Sequence, residues 1–278
     1  MGLNVANRTS PASRCHTLAH FSSFIIRVCI YENDDLAKSL EHYSAARKGL
    51  DELATGEPGR KPIHPQYVTR ALDEAASHDA IFSCDVGTPT IWAARYLRMN
   101  GKRRLLGSFT HGSMANALPQ AIGAQVSHPD RHVISLSGHG GLAMLMGDLL
   151  SLRQLHLPVK VIVFNNGSLA FVELEMKAAG VLDYGTELHN PSFAKMAEAA
   201  GLLGLRAETP EQVQPMIAQA LKHDGPALVE ALVARQELSM PPSISLEEMR
   251  GFSLFLAKAV LSGRGDEIVD LARTNLFR

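Results

Sequence analysis

Cysteine is scarce in this chain, and neither sign of charge dominates. The three cysteines, Cys15, Cys29 and Cys84, are widely spaced and odd in number. This pattern is typical of neither a disulfide framework nor a zinc cluster, and it favours a reducing compartment. Because 27 basic residues oppose 28 acidic ones, the composition does not indicate a general binder of nucleic acids or other polyanions.

Long apolar runs are also missing. No uninterrupted apolar run approaches the roughly 20 residues that a helix needs to span a bilayer. Residues 1–31 contain no Asp or Glu, carry several arginines and are rich in serine, a composition that loosely resembles an organellar transit peptide. The alternative is an ill-ordered tail without a function, and both interpretations stay open.

From Pro65 onward, short apolar runs alternate with helical patterns. Val133–Ser137 and Val159–Asn165 are β-branched runs of the kind found in buried parallel strands. Further strands are predicted at Ala80–Cys84, near Leu105–Gly107 and at Ala227–Leu232. Helices are predicted at Gln66–Ser77, Met114–Gln125, Leu142–Leu155, Asn190–Ala200 and Thr209–Leu221, with caps at Asn190 and Thr209. The alternation predicts an α/β fold in which helices cover both faces of a parallel sheet.

Changes in composition divide the chain into four parts. They are an N-terminal segment over 1–35, a helix and linker over 36–62, the α/β domain over 63–236 and a helical tail over 237–278. Within the tail, Pro241-Pro242 break the chain before a capping box that begins at Ser245. The tail helices are amphipathic, which predicts either packing on the chain's own domain or an interfacial tail that binds lipid.

A glycine-rich turn and an asparagine pair follow the two buried strands. Gly138, Gly140 and Gly141 let the chain turn sharply from a strand into a helix, and such a turn presents N–H groups to an anion. Asn165 and Asn166 end the next strand, at the edge where open α/β sheets bind ligands. The pattern predicts a phosphate group and a metal ion held between the two strand ends.

This arrangement resembles the thiamine-diphosphate motif, in which a G-D-G turn is followed by an Asn at the spacing of His139 and Asn166. The similarity covers about 36–278 and points to the carboxyl-terminal part of bacterial pyruvate dehydrogenase (quinone), also called pyruvate oxidase. The stretches that carry it lie at 84–109, 111–121, 171–180 and 251–267. The resemblance implies that 63–236 form the diphosphate-side thiamine-diphosphate-binding domain, and that 237–278 form a membrane-binding tail.

The resemblance also implies the residues of the site. His139, Asn166 and Ser168 would ligate the metal, the serine through its backbone carbonyl. Met114 would bend the thiamine, and Phe171 would be the catalytic aromatic residue that enters the active site. The implied cofactor contacts are Gly112, Ser113, Met114, His139, Gly140, Gly141, Asn166, Gly167, Ser168, Leu169, Ala170, Phe171 and Val172.

The implied activity is the oxidative decarboxylation of pyruvate to acetate and carbon dioxide. Thiamine diphosphate and Mg²⁺ are the implied cofactors, and electrons would pass through FAD to a membrane quinone. The implied protein is a cytoplasmic homo-oligomer, peripheral to the inner face of the cell membrane through 237–278, with no nucleic-acid partner.

Two features depart from the family pattern. His139 stands where the family carries Asp, and an imidazole suits zinc, nickel or copper better than Mg²⁺, which prefers oxygen ligands. We therefore predict weakened metal–diphosphate affinity. The family's pyrimidine-binding domain, with its activating glutamate, and its flavin-binding domain do not fit in 1–35. We expect a carboxyl-terminal portion that is inactive alone.

Other functions fit less of the sequence. Gly138–Ala143 matches the dinucleotide pattern G-x-G-x-x-A, but the next strand ends in Asn165-Asn166 where a ribose-binding acid is expected. His111 with Ser113 or Asp85 could form a hydrolase set, yet the sequence has no G-x-S-x-G elbow. A non-catalytic oligomerisation or interaction module derived from the enzyme stays an alternative, because surfaces that the other domains normally cover would seek a partner.

Overall fold

The computed structural model describes residues 35–59, 61–237 and 244–275. Two compact units divide the chain, one ending at Glu52 and one running from Leu53 to Arg278. The described part of the first unit lies within one helix, α1, which covers 35–53. The predicted break at Pro241-Pro242, and all of the predicted N-terminal segment except Asp35, lie outside the described residues.

Six parallel strands form the sheet of the second unit, in the order β2-β1-β3-β4-β6-β5. The strands are β1 Ile81–Cys84, β2 Arg104–Leu106, β3 Val133–Gly138, β4 Lys160–Asn165, β5 Leu203–Ala207 and β6 Ala227–Leu232. The helices are α2 Pro65–Ala75, α3 Thr88–Tyr96, α4 Ala117–Ser127, α5 His139–Met144, α6 Asp148–Gln154, α7 Ala170–Ala178, α8 Phe193–Ala199, α9 Pro210–Lys222, α10 Leu246–Leu261 and α11 Gly265–Asn275. The parallel sheet surrounded by helices confirms the predicted α/β fold.

The two central strands, β3 and β4, end side by side. Both are buried along almost their whole length, because their β-branched and apolar side chains pack into the core. Gly138 at the end of β3 pairs with Phe164, the last residue but one of β4. Since the strands are parallel, their carboxyl ends share one edge of the sheet. The glycine turn and the asparagine pair both follow at that edge.

Two predicted helices differ from the observed ones. The predicted helix Leu142–Leu155 is two short helices, α5 and α6, and Gly147 is the N-cap of α6. The helix predicted from Met114 begins only at Ala117, because Ala115 has a left-handed backbone with φ of 61°. The turn after β3 therefore leads into a helix of only six residues.

One observed strand is missing from the sequence prediction, and one predicted helix cap is wrong. The sequence predicts no strand at Leu203–Ala207, where β5 lies at the sheet edge and is mostly half-buried, so that its apolar pattern is weak. The prediction that Asn190 caps the following helix is wrong. Helix α8 is capped instead by Ser192, whose hydroxyl accepts a hydrogen bond from Lys195 N at 3.4 Å. Asn190 donates to Asn165 instead.

The tail helices pack on the domain, α10 against α7. Ser245 begins the predicted capping box and accepts a hydrogen bond from Glu248 N at 3.2 Å. Phe255 and Ala259 are fully buried, and Lys258 Nζ donates to Gly180 O, two residues after the end of α7. Among the helices that the structure describes, none is long and apolar enough to cross a membrane.

Candidate functional site

Three loops meet at the carboxyl edge of the sheet: the turn after β3, the loop after β4, and the loop before α4. The turn after β3 is the glycine turn at 138–141, which ends β3 and forms the first turn of α5, and it contains Gly140. A Cβ atom added to it would lie 2.9 Å from Leu169 Cδ2 and 3.5 Å from Met114 Cε. Leu169 and Met114 belong to the other two loops. The structure thus brings together one predicted cofactor-contacting residue from each of the three stretches.

Neighbouring side chains approach Gly140 and Gly141 closely, which explains why glycine occupies these two positions of the turn. A side chain at Gly140 would overlap Leu169, since real Cβ atoms essentially never lie within 3.0 Å of another heavy atom. A Cβ atom at Gly141 would collide with the carboxylate of Asp85 and would lie 3.2 Å from Ala115 N. Packing therefore requires glycine most strictly at Gly141, whereas at Gly140 the end of the Leu169 side chain would have to move, and the turn lies tightly against the loop before α4.

Asp85 is a buried carboxylate that was not among the predicted site residues. It follows β1 and is 2% exposed, and its Oδ1 accepts a hydrogen bond from Ala117 N at 2.9 Å, at the start of α4. Burial raises the pKa of Asp85 to about 6, and hydrogen bonds from Ala117 and neighbouring groups oppose this rise only in part. Asp85 therefore holds the loop before α4 against the glycine turn.

His139 is the first residue of α5, and its side chain is only 3% exposed. Its Nδ1 lies 3.3 Å from Phe164 O; since a carbonyl only accepts, Nδ1 carries the proton in this contact. Nε2 is buried and has no hydrogen-bond partner among the described residues. Burial lowers the pKa of His139, while the Phe164 carbonyl and the charge of Glu230 oppose this effect. The imidazole is therefore neutral at pH 7.

The loop after β4 is held by its own hydrogen bonds. Asn166 Oδ1 accepts a hydrogen bond from Ser168 N at 3.2 Å, and Leu169 N donates to Thr186 O at 2.8 Å. Gly167 has a φ of 70°, in the left-handed region that glycine adopts without strain. The Asn166 side chain and the Ser168 backbone, two of the predicted metal ligands, are thus placed on a loop with a defined conformation.

The side chain of Ser168 is committed to a different contact. Its hydroxyl donates to the carboxylate of Glu173 in α7, which also pairs with Lys177 at 2.6 Å and with Arg235 at 3.2 Å. Burial raises the pKa of Glu173, but the hydrogen bonds from Lys177 and Ser168 outweigh that effect and lower it. Lys177 also pairs with Glu267 of α11 at 2.8 Å. These ion pairs connect the loop after β4 to the tail.

A second buried carboxylate supports the asparagine pair from β6. Glu230 is fully buried, and its Oε1 accepts hydrogen bonds from Asn165 Nδ2 at 2.8 Å and from Arg206 Nη1 at 2.9 Å. Asn165 Oδ1 in turn accepts from Asn190 Nδ2 at 2.8 Å and from Gly167 N at 3.3 Å. Glu230 was missed from the sequence, although an acid inside the apolar run A-L-V-E-A-L indicates a buried polar network.

The five other predicted site residues lie in the loop before α4 or in the first turn of α7. Ala170, Phe171 and Val172 form the first turn of α7, and the side chains of Phe171 and Val172 are 38% and 44% exposed. Gly112 has a left-handed backbone with φ of 64°, and the Ser113 hydroxyl accepts a hydrogen bond within its own loop. Their cofactor contacts stay predictions.

Comparison with known proteins identifies the segment that contains these loops. The model of the family "Thiamine pyrophosphate enzyme, C-terminal TPP binding domain" matches residues 85–231. The match begins at Asp85 and ends within β6, so that it includes all three loops.

Several curated relatives are similar over most of the chain. YdaP of Bacillus subtilis, whose name describes a thiamine pyrophosphate-containing protein, is 35% identical over 213 residues, which are 77% of this chain and 37% of that protein. Pyruvate oxidase of Lactiplantibacillus plantarum is 33% identical over 175 residues, 62% of this chain and 29% of that protein. Acetolactate synthase of Mycobacterium bovis is 34% identical over 188 residues, 65% of this chain and 30% of that protein.

The chain thus spans about a third of the length of these relatives. The family match covers more than half of the chain and contains the glycine turn, the asparagine pair and the loop before α4. The chain therefore belongs to the thiamine pyrophosphate enzymes, and residues 85–231 are their C-terminal TPP binding domain.

Proposed function

We propose that this chain binds thiamine diphosphate and a divalent cation between its three loops, as part of an enzyme that oxidatively decarboxylates pyruvate to acetate and carbon dioxide. The observation that carries the proposal is the close approach of Met114, Gly140 and Leu169 inside the family's cofactor-binding domain. The pyruvate oxidase relative supports pyruvate as the substrate. The resemblance to pyruvate dehydrogenase (quinone) supports a quinone as the electron acceptor, with FAD carried by the family's separate flavin-binding domain.

Each loop has a distinct role in this proposal. Gly140 and Gly141 keep the turn free of side chains, so that a diphosphate can approach the backbone. Met114 reaches the turn with its methyl group and supports the thiamine, and Phe171 presents an exposed aromatic ring to the substrate. When bound, thiamine diphosphate supplies the electron sink for breaking the carbon–carbon bond. The protein's own residues bind and orient the reacting groups.

The donor atoms of the site fit a divalent cation, but they do not all fit the same cation equally well. Mg²⁺ is the ion that the resemblance implies, and it prefers oxygen ligands. Asn166 and Ser168 offer an amide oxygen and a backbone carbonyl, whereas His139 offers an imidazole nitrogen. The glycine turn therefore fits a diphosphate, and the imidazole is the part of the site that does not fit Mg²⁺.

The synthesis of acetolactate is a second candidate. Acetolactate synthases of Mycobacterium bovis and Nicotiana tabacum are 34% identical to this chain, as similar as the pyruvate oxidase. The two functions differ in their products, so that product analysis decides between them.

We further propose a homo-oligomer that lies against the inner face of the cell membrane through its tail. Helix α10 leaves four large apolar side chains more than half exposed, which supports contact with lipid: Leu246, Met249, Val260 and Leu261. Sedimentation with and without anionic lipid vesicles tests this proposal.

Calorimetric titration with thiamine diphosphate and a divalent cation tests the cofactor site. We expect wild type to bind, Gly140→Ala to bind at least about tenfold more weakly, and Gly147→Ala, whose Cβ would meet nothing within 4 Å, to bind like wild type. Absence of binding by wild type would refute the site.

The substrate is tested on protein isolated with any associated chains still bound. Carbon dioxide release from pyruvate would be measured together with acetate, acetolactate and the reduction of a quinone analogue. Acetate with quinone reduction supports the first function and acetolactate the second. If neither acetate nor acetolactate forms, both functions are refuted.

A further inference from the structure

The Nε2 atom of His139 is buried near the paired ends of β3 and β4. The Nδ1–H of the same ring is directed at Phe164 O at 3.3 Å, which leaves Nε2 as the unprotonated nitrogen of a neutral ring. The side chain is 3% exposed, and Nε2 has no hydrogen-bond partner in the part of the chain that the structure describes. Buried polar atoms without a partner are rare in folded proteins, and an ion is one of the partners that complete them.

The contact with Phe164 is the arrangement that metal-binding histidines use. Such a histidine usually donates its second N–H to a carbonyl or carboxylate, which fixes the tautomer and the orientation of the ring. Phe164 lies two residues before Asn166, so that one strand end both orients the imidazole and continues into the loop with the other two predicted ligands.

Two buried carboxylates lie at this edge of the sheet. Glu230 accepts from Asn165 and Arg206, and Asp85 accepts from the first N–H of α4 through Oδ1, whereas Asp85 Oδ2 has no hydrogen-bond partner among the described residues. The three ligands that the resemblance implies are one imidazole nitrogen and two neutral oxygen atoms. Such a set does little to offset the dehydration of Mg²⁺, whereas imidazole is a good ligand for borderline ions such as Co²⁺, Ni²⁺ and Zn²⁺.

We propose that His139 Nε2 ligates the metal, and that the site selects a borderline divalent transition-metal ion over Mg²⁺ when it binds a diphosphate. The inference rests on the proposed function, because it takes the diphosphate site between the three loops as given.

The test compares Co²⁺ and Mg²⁺ affinities of the full chain in the presence of thiamine diphosphate. Transition-metal ions bind most sites more tightly than Mg²⁺, so the change in the Co²⁺/Mg²⁺ affinity ratio between wild type and variants is decisive. His139→Asp supplies a charged oxygen ligand, and His139→Asn is the matched control that removes the nitrogen without adding charge. We expect the ratio to fall about 10- to 100-fold in His139→Asp, with Mg²⁺ bound more tightly. His139→Asn should lose Co²⁺ affinity and gain none for Mg²⁺.

A spectroscopic measurement reports the ligand directly. With Cu²⁺ and thiamine diphosphate, the electron paramagnetic resonance spectrum of wild type should show coupling to an imidazole nitrogen that is absent from the spectrum of His139→Asn. An unchanged affinity ratio in folded variants, or no nitrogen coupling in wild type, would overturn the metal assignment while calorimetry still records diphosphate binding. If neither wild type nor either variant binds thiamine diphosphate with any of the ions, the proposed function is overturned together with this inference.

Discussion

Replacing Asp85 with Asn should remove a pH-dependent loss of stability. Burial raises the pKa of Asp85 from its ordinary value of 3.8 to about 6, so the folded state binds the proton more tightly than the unfolded state does. The stability that this proton contributes is fully present below the ordinary pKa and is lost as the pH rises through about 6. At neutral pH the charged carboxylate therefore destabilises the fold, and an uncharged amide does not.

The size of the effect follows from the pKa of Asp85. Raising a pKa from 3.8 to about 6 corresponds to about 3 kcal/mol. Because Asp85 is only 2% exposed, solvent screens little of this energy. Asparagine keeps an oxygen that accepts the hydrogen bond from Ala117 N, so that the contact to α4 survives the substitution.

Urea unfolding at a series of pH values measures this effect, with the single tryptophan, Trp92, as a buried fluorescent reporter in α3. The unfolding free energy of Asp85→Asn minus that of wild type should grow by about 2 kcal/mol between pH 4 and pH 7.5, because at pH 4 part of the full effect is already present. Replacing the exposed Glu175 with Gln is the control, and its difference should stay constant within about 0.5 kcal/mol. A constant difference for Asp85→Asn as well would show that the carboxylate is not destabilised by burial.

Three further substitutions test the packing around the site and the tail. Glu230→Ala should lower the unfolding free energy by about 2–3 kcal/mol, because buried donors lose their acceptor; a stability equal to wild type would contradict the network. Gly141→Ala should cost about 1–3 kcal/mol through collision with the neighbouring carboxylate. Gly147→Ala is its control, because a Cβ there would meet no atom of the described residues within 4 Å, and equal urea midpoints would refute the argument. Gly251→Ala places a Cβ against a carbonyl of α7, so amide hydrogens of α10 should exchange faster, while exchange in the open-space control Gly123→Ala should match wild type. Unchanged exchange would mean that α10 does not depend on this contact.

Local sequence patterns were sufficient to predict the central part of the fold. The β-branched runs of β3 and β4 are buried on both sides, and such runs have few structural alternatives in an α/β protein. Helix α9 and its capping box at Thr209 are also local features, and the structure confirms both. In contrast, β5 was missed because an edge strand with Gly204 and Arg206 lacks a strong apolar pattern.

The predicted site residues lie at the expected edge of the sheet, but the residues that support them were not predictable. Glu230 and Asn165 are 65 positions apart and meet only because β4 and β6 are neighbours. Asp85 and Gly141 meet because β1 lies next to β3. No spacing rule in the sequence connects these pairs, since strand order is decided by how the whole sheet assembles.

The sequence by itself determined the α/β class, the glycine turn after β3, the asparagine pair after β4 and the imidazole at His139, because each is a property of a short stretch of chain. Only the tertiary structure decided which strands are neighbours. It thereby decided that Met114, Gly140 and Leu169 approach one another, and that His139 Nε2 is buried with no hydrogen-bond partner within the described parts of the chain. The physical reason is that burial and hydrogen-bond partners depend on residues distant in sequence, which only the packing of the sheet brings together.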